Sequence, residues 1–359
     1  MIIKALSLQN FRNYPQKSFD FSNGCNLIVG PNAIGKTNIL EAVYFLSTGK
    51  SFRVKGVERE AILYQKEIAR IKGEVENKDQ KTKLEIILTV GEIMGEKTAK
   101  KKYLVNQVGR RAVDFLGNLL SVYFGPEDLE LITDSPGLRR KYLDSVLVQT
   151  DHEYRRASLS YEKGLRQRNK ILEGIREAKD LGYNEENLRK RLYFWDQLLI
   201  KNGNIITDKR EEFLQFINQC QPVSNMQFSV EYERSTISAE RIAHYAKEEV
   251  GAGMTLVGPH RDDFKINEKQ RNLSVYGSRG EQRLAILWLK LAELDFLEKE
   301  TKVLPILLLD DIFSELDMEH RQLVFELVTS HQTIITTTDI NIVDKNWLKQ
   351  VNLINLSLS

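Results

Sequence analysis

Apolar residues recur at helical spacing through two long stretches of this chain, and elsewhere they alternate or gather into short runs. Residues 138–175 (LRRKYLDSVLVQTDHEYRRASLSYEKGLRQRNKILEGI) and 185–220 (EENLRKRLYFWDQLLIKNGNIITDKREEFLQFINQC) carry few breakers apart from KDLGYN at 179–184, which predicts a mainly helical region. Segments 2–11 (IIKALSLQNF), 68–76 (IARIKGEVE), 82–90 (TKLEIILTV) and 101–107 (KKYLVNQ) read as strands of an antiparallel sheet. Residues 26–29 (NLIV) form a short apolar strand, and 303–311 (VLPILLLDD) is a continuous apolar run of the kind that fills a buried strand. TNILEAVYFLST at 37–48 and LAILWLKLAELDFLEKE at 284–300 have helical spacing, while the strand-like MQFSVEYE at 226–233 suits either the sheets or the helical region.

The strand at 26–29 and the helix at 37–48 enclose a motif with chemistry. Gly30, Gly35, Lys36 and Thr37 fit G-x-x-x-x-G-K-[ST] within IVGPNAIGKTN. Glycines let backbone N–H groups wrap a phosphate, the lysine reaches the β and γ oxygens, and the threonine hydroxyl ligates magnesium. A helix N-terminus then faces the anion. Gly30, Pro31, Asn32, Ala33, Ile34, Gly35, Lys36, Thr37 and Asn38 are therefore the candidate ATP-binding loop. The alternative is a mere glycine turn.

The acidic partner of such a loop lies nearly at the other end of the chain. The run at 303–311 ends in two carboxylates. Asp310 is placed to hold Mg2+, together with Thr37, and Asp311 to orient an attacking water. An apolar strand leading into an acidic turn would look the same, and the phosphate loop is what favours the catalytic reading. Ahead of the last helix comes YGSRGEQR at 276–283, where Ser278 and Gly280 are on one reading ordinary capping residues.

Ser-x-Gly-x-Gln is also the pattern that ABC-type ATPases set against the γ-phosphate held by the opposite subunit. Ser278, Arg279, Gly280, Glu281 and Gln282 would then act in trans, and Ser314 and Asp317 in SELD resemble the loop that crosses the same dimer interface. Further stretches narrow the resemblance: LQNFRNY at 8–14, PEDLELITDSPGLRRKYLD at 126–144, YEKGLRQRNKIL at 161–172 and GPHRDDF at 258–264. With these the chain resembles the RecF family of bacterial recombination-repair ATPases, related to Rad50 and SMC heads, from residue 8 to the carboxyl end. Asp134 departs from the family's usual glycine.

The resemblance implies an α/β fold: an ABC-type P-loop ATPase head, Rad50-like, with an inserted mainly helical domain. The expected division is 1–122 and 246–359 for the head and 123–245 for the insertion. It also places Arg12 and Asn13 near the base or α-phosphate, although Arg12 could equally be an edge-strand arginine in solvent. Glu127 occupies the approximate position of a magnesium-sensing glutamine, and Thr338 that of a switch histidine. These departures are read as slow, DNA-stimulated ATP hydrolysis. A homodimer that forms on ATP, binding to duplex DNA near single-strand gaps and to RecR and RecO, and loading of RecA follow from the family.

With 359 residues and 42% apolar content the chain can bury a sizeable core, and no run of 18 uncharged apolar residues occurs. The start lacks a secretory signal, and Cys25 and Cys220 have no metal or disulfide spacing. A cytoplasmic, nucleoid-associated protein without membrane partners is expected. The net charge of +2 is uninformative, but its distribution is not. Lys97, Lys100, Lys101, Lys102, Arg110 and Arg111 crowd a segment with no acid, whereas 281–320 has four basic against ten acidic residues. Such a basic face suits a DNA backbone, duplex or single-stranded, without reading bases; a solvated lysine cluster is the alternative. Two other functions share some motifs. A transporter's nucleotide-binding subunit would need the missing glutamine and histidine, and a nucleolytic ATPase would need a carboxylate cluster, for which RDDF at 261–264 is the candidate.

Overall fold

The computed structural model describes residues 1–53, 58–78, 80–180, 186–224, 226–312, 327–340 and 348–357. Its contacts divide the chain into two units, Met1–Asp128 with Glu293–Ser359, and Leu129–Ala292.

The first unit contains two sheets. Five short apolar strands form a parallel sheet in the order Ser121–Phe124, Ile306–Asp310, Thr333–Thr337, Cys25–Val29, Asn352–Asn355. The first four are buried almost throughout, as strands covered on both faces must be. Register aligns Asp310 with Thr336 and Thr336 with Ile28, which brings the carboxyl ends of the three central strands to one edge. Ligands of open parallel sheets bind at that edge. Helix Lys36–Thr48 follows the Cys25–Val29 strand and buries Ile39, Leu40, Val43 and Leu46.

The antiparallel sheet expected from the alternating segments is present, with six strands in the order Tyr14–Asp20, Ile2–Phe11, Ile68–Asn77, Gln80–Thr89, Lys101–Val105, Val108–Arg110. A register shift between Ile3 and Ala5 moves the inward set from Ile3 to Leu6 and Leu8, so the strand keeps its apolar face although the sequence alternation slips there.

The second unit holds helices Pro136–Thr150, His152–Asp180 and Glu186–Ile217, and the start of helix Arg279–Thr301. The helical stretch expected over 138–175 forms two helices that meet at Asp151, whose carboxylate accepts the Tyr154 N–H at 2.8 Å and caps the second. The contact-defined division differs from boundaries at 122/123 and 245/246. Strand Phe228–Glu233 pairs antiparallel with Asp263–Glu268, and buried Arg168 binds Asp196 and Glu249, each at 2.7 Å. These long-range contacts keep residues 246–292 with the helices.

Candidate functional site

The phosphate loop leaves the strand Cys25–Val29 and enters its helix through residues with left-handed backbone, Ala33 at φ 64° and Gly35 at φ 114°. A side chain at Gly35 would also collide with the Tyr14 hydroxyl at 2.7 Å and the Asn13 amide at 2.8 Å, so both the conformation and the space demand glycine. Asn13 Nδ2 donates to the Ile34 carbonyl at 2.9 Å, Asn38 Nδ2 to Asn13 Oδ1 at 2.8 Å, and Tyr14 Oη to the Gly35 carbonyl at 3.2 Å. The strand Tyr14–Asp20 and the residues before it thereby brace the loop. Pro31, Asn32 and Ala33 are exposed at its crest.

Lys36 is buried and curls back over the loop, donating to the Gly30 carbonyl at 2.7 Å and the Pro31 carbonyl at 3.0 Å. Burial pulls its ammonium below the ordinary lysine value, opposed by the charges of Asp311 and then Asp310. Loop and acids, 274 positions apart between Lys36 and Asp310, are thus electrostatic neighbours. The direct link is the Thr37 hydroxyl, which donates to Asp310 Oδ1 at 3.0 Å. Thr336, on the intervening strand, donates to the same oxygen at 2.5 Å. Asp311 has left-handed backbone, φ 51°, with its N–H directed at the Thr336 carbonyl and hydroxyl, both at 3.2 Å. Tyr123 donates to Glu127 Oε2 at 2.8 Å and lies 3.4 Å from Asp310 Oδ2. Burial first, then Asp310 and Glu127, raises the Tyr123 phenol well above its usual range, so it remains a donor.

A hydroxyl and a carboxylate in contact, beside a loop built for phosphates, form the hard-oxygen set that a magnesium ion takes when phosphates and water complete its shell. The residues present fit the ion. Lys36, Thr37, Asp310, Asp311 and Glu127 lie together at this edge of the sheet. Arg12 forks its guanidinium onto Glu41 at 2.9 and 2.5 Å and reaches the Glu60 carbonyl at 2.9 Å. Glu41 is fully buried and also accepts from Ser51. Asn38 is met by Arg53 at 2.8 Å.

Ser278 caps helix Arg279–Thr301 in the second unit. Its hydroxyl accepts the Glu281 N–H at 3.3 Å and Glu281 Oε2 accepts the Ser278 N–H at 2.7 Å, a capping box. These bonds, the backbone one first, hold the Glu281 carboxyl below its usual value. Gln282 donates to the Leu273 carbonyl at 2.9 Å. Ser278, Arg279 and Gly280 are exposed, so the capped helix end is open to a ligand. Ser314 and Asp317 lie outside the described residues.

Among the basic candidates, Lys97, Lys100, Lys102 and Arg110 are exposed. Arg111 is exposed too and pairs with Asp114 at 2.9 Å. Lys101 points the other way. It stands opposite Leu88 on the inner side of its strand, donates to the Gly49 carbonyl at 2.5 Å, pairs with Glu58 and lies 5.3 Å from the Phe45 ring centroid.

The two acids of RDDF do not share a site. Asp262 accepts from Arg210 at 2.9 Å, Tyr232 at 2.5 Å and the Ser235 N–H at 2.8 Å, while Asp263 is gripped by Arg139 at 2.6 and 2.9 Å. Among the described residues no group of three His, Cys, Asp or Glu side chains comes together as a metal cluster, and no helix is long and apolar enough to cross a membrane.

Sequence reasoning missed Tyr123, Thr336 and Glu41. Tyr123 and Glu41 had a local signal, a polar atom within a largely apolar run, whereas Thr336 sits among other threonines, and only the sheet order shows that Tyr123 and Thr336 converge on Asp310.

A phosphate loop and a paired-acid strand on one parallel sheet, an antiparallel sheet beside them in the same unit, and a long helical insertion define an ABC-type ATPase head. The sequence matches the RecF/RecN/SMC N terminal domain over residues 2–354. It is 35% identical to the DNA replication and repair protein RecF of Lachnoclostridium phytofermentans, covering 94% of this chain and 93% of that one. The solved structure of the recombination mediator protein RecF-ATP in the RecFOR pathway superposes with a TM-score of 0.84 at 32% identity, covering 95% of this chain and 93% of that one. An SmcHead bound to the C-winged helix domain of ScpA shares the fold at a TM-score of 0.51 and 17% identity, over 100% of this chain and 95% of that one. The chain belongs to the RecF family.

Proposed function

We propose that this protein is an ATP-driven DNA clamp of recombinational repair. ATP and magnesium bind at the loop Gly30–Asn38 with Asp310, and Asp311 orients the hydrolytic water. Two chains close on two ATP molecules, each supplying its Ser278 helix end to the partner's γ-phosphate. The dimer grips duplex DNA near single-strand gaps through Lys97, Lys100, Lys102 and Arg110, with Arg111 at the edge. Lys101 supports the strand Lys101–Val105, which carries Lys102. Slow, DNA-stimulated hydrolysis resets the clamp. RecR and RecO are the expected partners, and loading of RecA the outcome. The insertion, Leu129–Ala292, transmits the nucleotide state.

The observation that carries this reading is the hydrogen bond from Thr37 to Asp310, which joins the two halves of a nucleotide–magnesium site from opposite ends of the chain. An exposed, capped helix end at Ser278 supplies the group such a site needs from a second chain. Sedimentation with ATP, magnesium and gapped duplex should give a dimer, and with ADP a monomer. A monomer under both conditions would refute the clamp.

A further inference from the structure

Tyr123 is held with unusual tightness for a residue that no motif contains. Its ring stacks on Phe52 with centroids 3.8 Å apart and planes 18° apart, and Tyr44 packs edge-on against both. The next turn makes room for it. A side chain at Gly125 would place its Cβ 2.0 Å from the Tyr123 hydroxyl, so the hydroxyl's position requires glycine there. Asp128 fixes that turn in place, accepting the Gly125 N–H at 2.9 Å.

The phenol is therefore delivered to one point, between Glu127 Oε2 at 2.8 Å and Asp310 Oδ2 at 3.4 Å. A hydroxyl carries one proton and donates to one acceptor at a time. The shorter contact takes it, since 3.4 Å is long for an O–H···O bond.

We propose that Tyr123 is a positioning residue for the magnesium end of the nucleotide site. It holds the Glu127 carboxylate beside Asp310, where Glu127 would accept hydrogen bonds from water on a magnesium ion held by Thr37 and Asp310. The two carboxylates flank one hydroxyl and repel each other, and Glu127, already exposed, swings away from Asp310 once that hydroxyl is removed. The role rests on the reading of the site as one for ATP and magnesium.

Tyr123→Phe keeps the stacked ring and removes only the hydroxyl. Binding of a fluorescent ATP analogue is titrated with magnesium and measured separately in EDTA. Loss of an outer-shell partner costs about 10–100-fold in metal affinity, so the magnesium midpoint should rise about tenfold while binding in EDTA stays within about twofold of wild type. Gly125→Ala, which displaces the hydroxyl by a different route, should give a similar rise, and Glu127→Ala combined with Tyr123→Phe should give no more than either alone. An unchanged midpoint in Tyr123→Phe, or a shift that adds to that of Glu127→Ala, would overturn the assignment. A wild-type protein that binds no analogue in either condition would overturn the nucleotide reading beneath it, and the wild-type curve alone reveals that outcome.

Discussion

Arg210 offers the sharpest test of how the second unit is built. Only 5% of its side chain is exposed, and it reaches Asp262 at 2.9 Å, Asp144 at 2.7 Å, the Pro259 carbonyl at 2.7 Å and the Tyr154 hydroxyl at 3.2 Å. In Arg210→Met the volume is roughly kept and the charge removed. Asp144, with 24% of its side chain exposed, can recover water, but Asp262 is fully buried and cannot. Removing one member of a buried ion pair costs about 3–5 kcal/mol because the other charge stays behind. Asp262 keeps two donors, Tyr232 and the Ser235 N–H, which places the expected loss at the low end, about 3 kcal/mol. Urea denaturation followed by tryptophan fluorescence measures it. Adding Asp262→Asn to Arg210→Met removes the stranded charge and should return about 1–2 kcal/mol, giving a clear coupling energy in a double-mutant cycle. A loss under about 1 kcal/mol, or additive behaviour, would mean that RDDF is not a structural clamp. Magnesium-dependent cleavage of plasmid DNA that vanishes with Asp262→Asn would reinstate the nucleolytic alternative.

Burial lowers His260 to about 4, while its ring contacts the Tyr161 hydroxyl at 2.8 Å and the Thr255 carbonyl at 3.0 Å. The unfolded chain takes up that proton near pH 6.5 and the folded one only near pH 4, so stability is full above about 6.5 and falls between them, by on the order of 3 kcal/mol; urea midpoints from pH 7.5 to 4.5 should show a shallower fall in His260→Gln, and parallel curves would exclude His260. Replacing Lys97, Lys100 and Lys102 by alanine should weaken binding about equally for unrelated duplexes and flatten the log affinity against log salt slope by up to roughly three; Lys101→Ala should lower the melting temperature instead, and the opposite pattern would contradict the strand's orientation. With Lys36, Thr37 and Asp310 in their proposed roles toward phosphates and metal, Asp311→Asn should still bind ATP and accumulate dimers on DNA; monomers in ATP would remove Asp311 from the water-orienting role.

The nucleotide loop was legible because its requirements are local: left-handed backbone at Gly35, a lysine and a hydroxyl one step apart, a strand before and a helix after. Asp310 was legible for the same reason, at the tip of an apolar strand. Thr336 was not, since only the order of strands in the sheet puts Thr333–Thr337 between the loop and the acids. Lys101 looked like its neighbours in composition, yet strand alternation turns it inward opposite Leu88 while Lys102 faces solvent. The placement of residues 246–292 with the helices depends on Phe228–Glu233 pairing with Asp263–Glu268, a register that no local pattern encodes.

That each nucleotide site is shared between two chains is the centre of this account, and mixing two inactive variants tests it most directly. Lys36→Met removes the ammonium proposed to reach the phosphates, and Ser278→Arg puts a bulky cation on the exposed helix end. Each alone should lack DNA-stimulated ATPase. In a heterodimer one site carries both lesions and the other pairs an intact Lys36 with an intact Ser278. Random pairing makes about half the dimers mixed, each with one working site of two, so roughly a quarter of wild-type activity should return on mixing if the sites act independently. Crosslinked, purified heterodimers that hold no ATP and hydrolyse none would contradict the shared site.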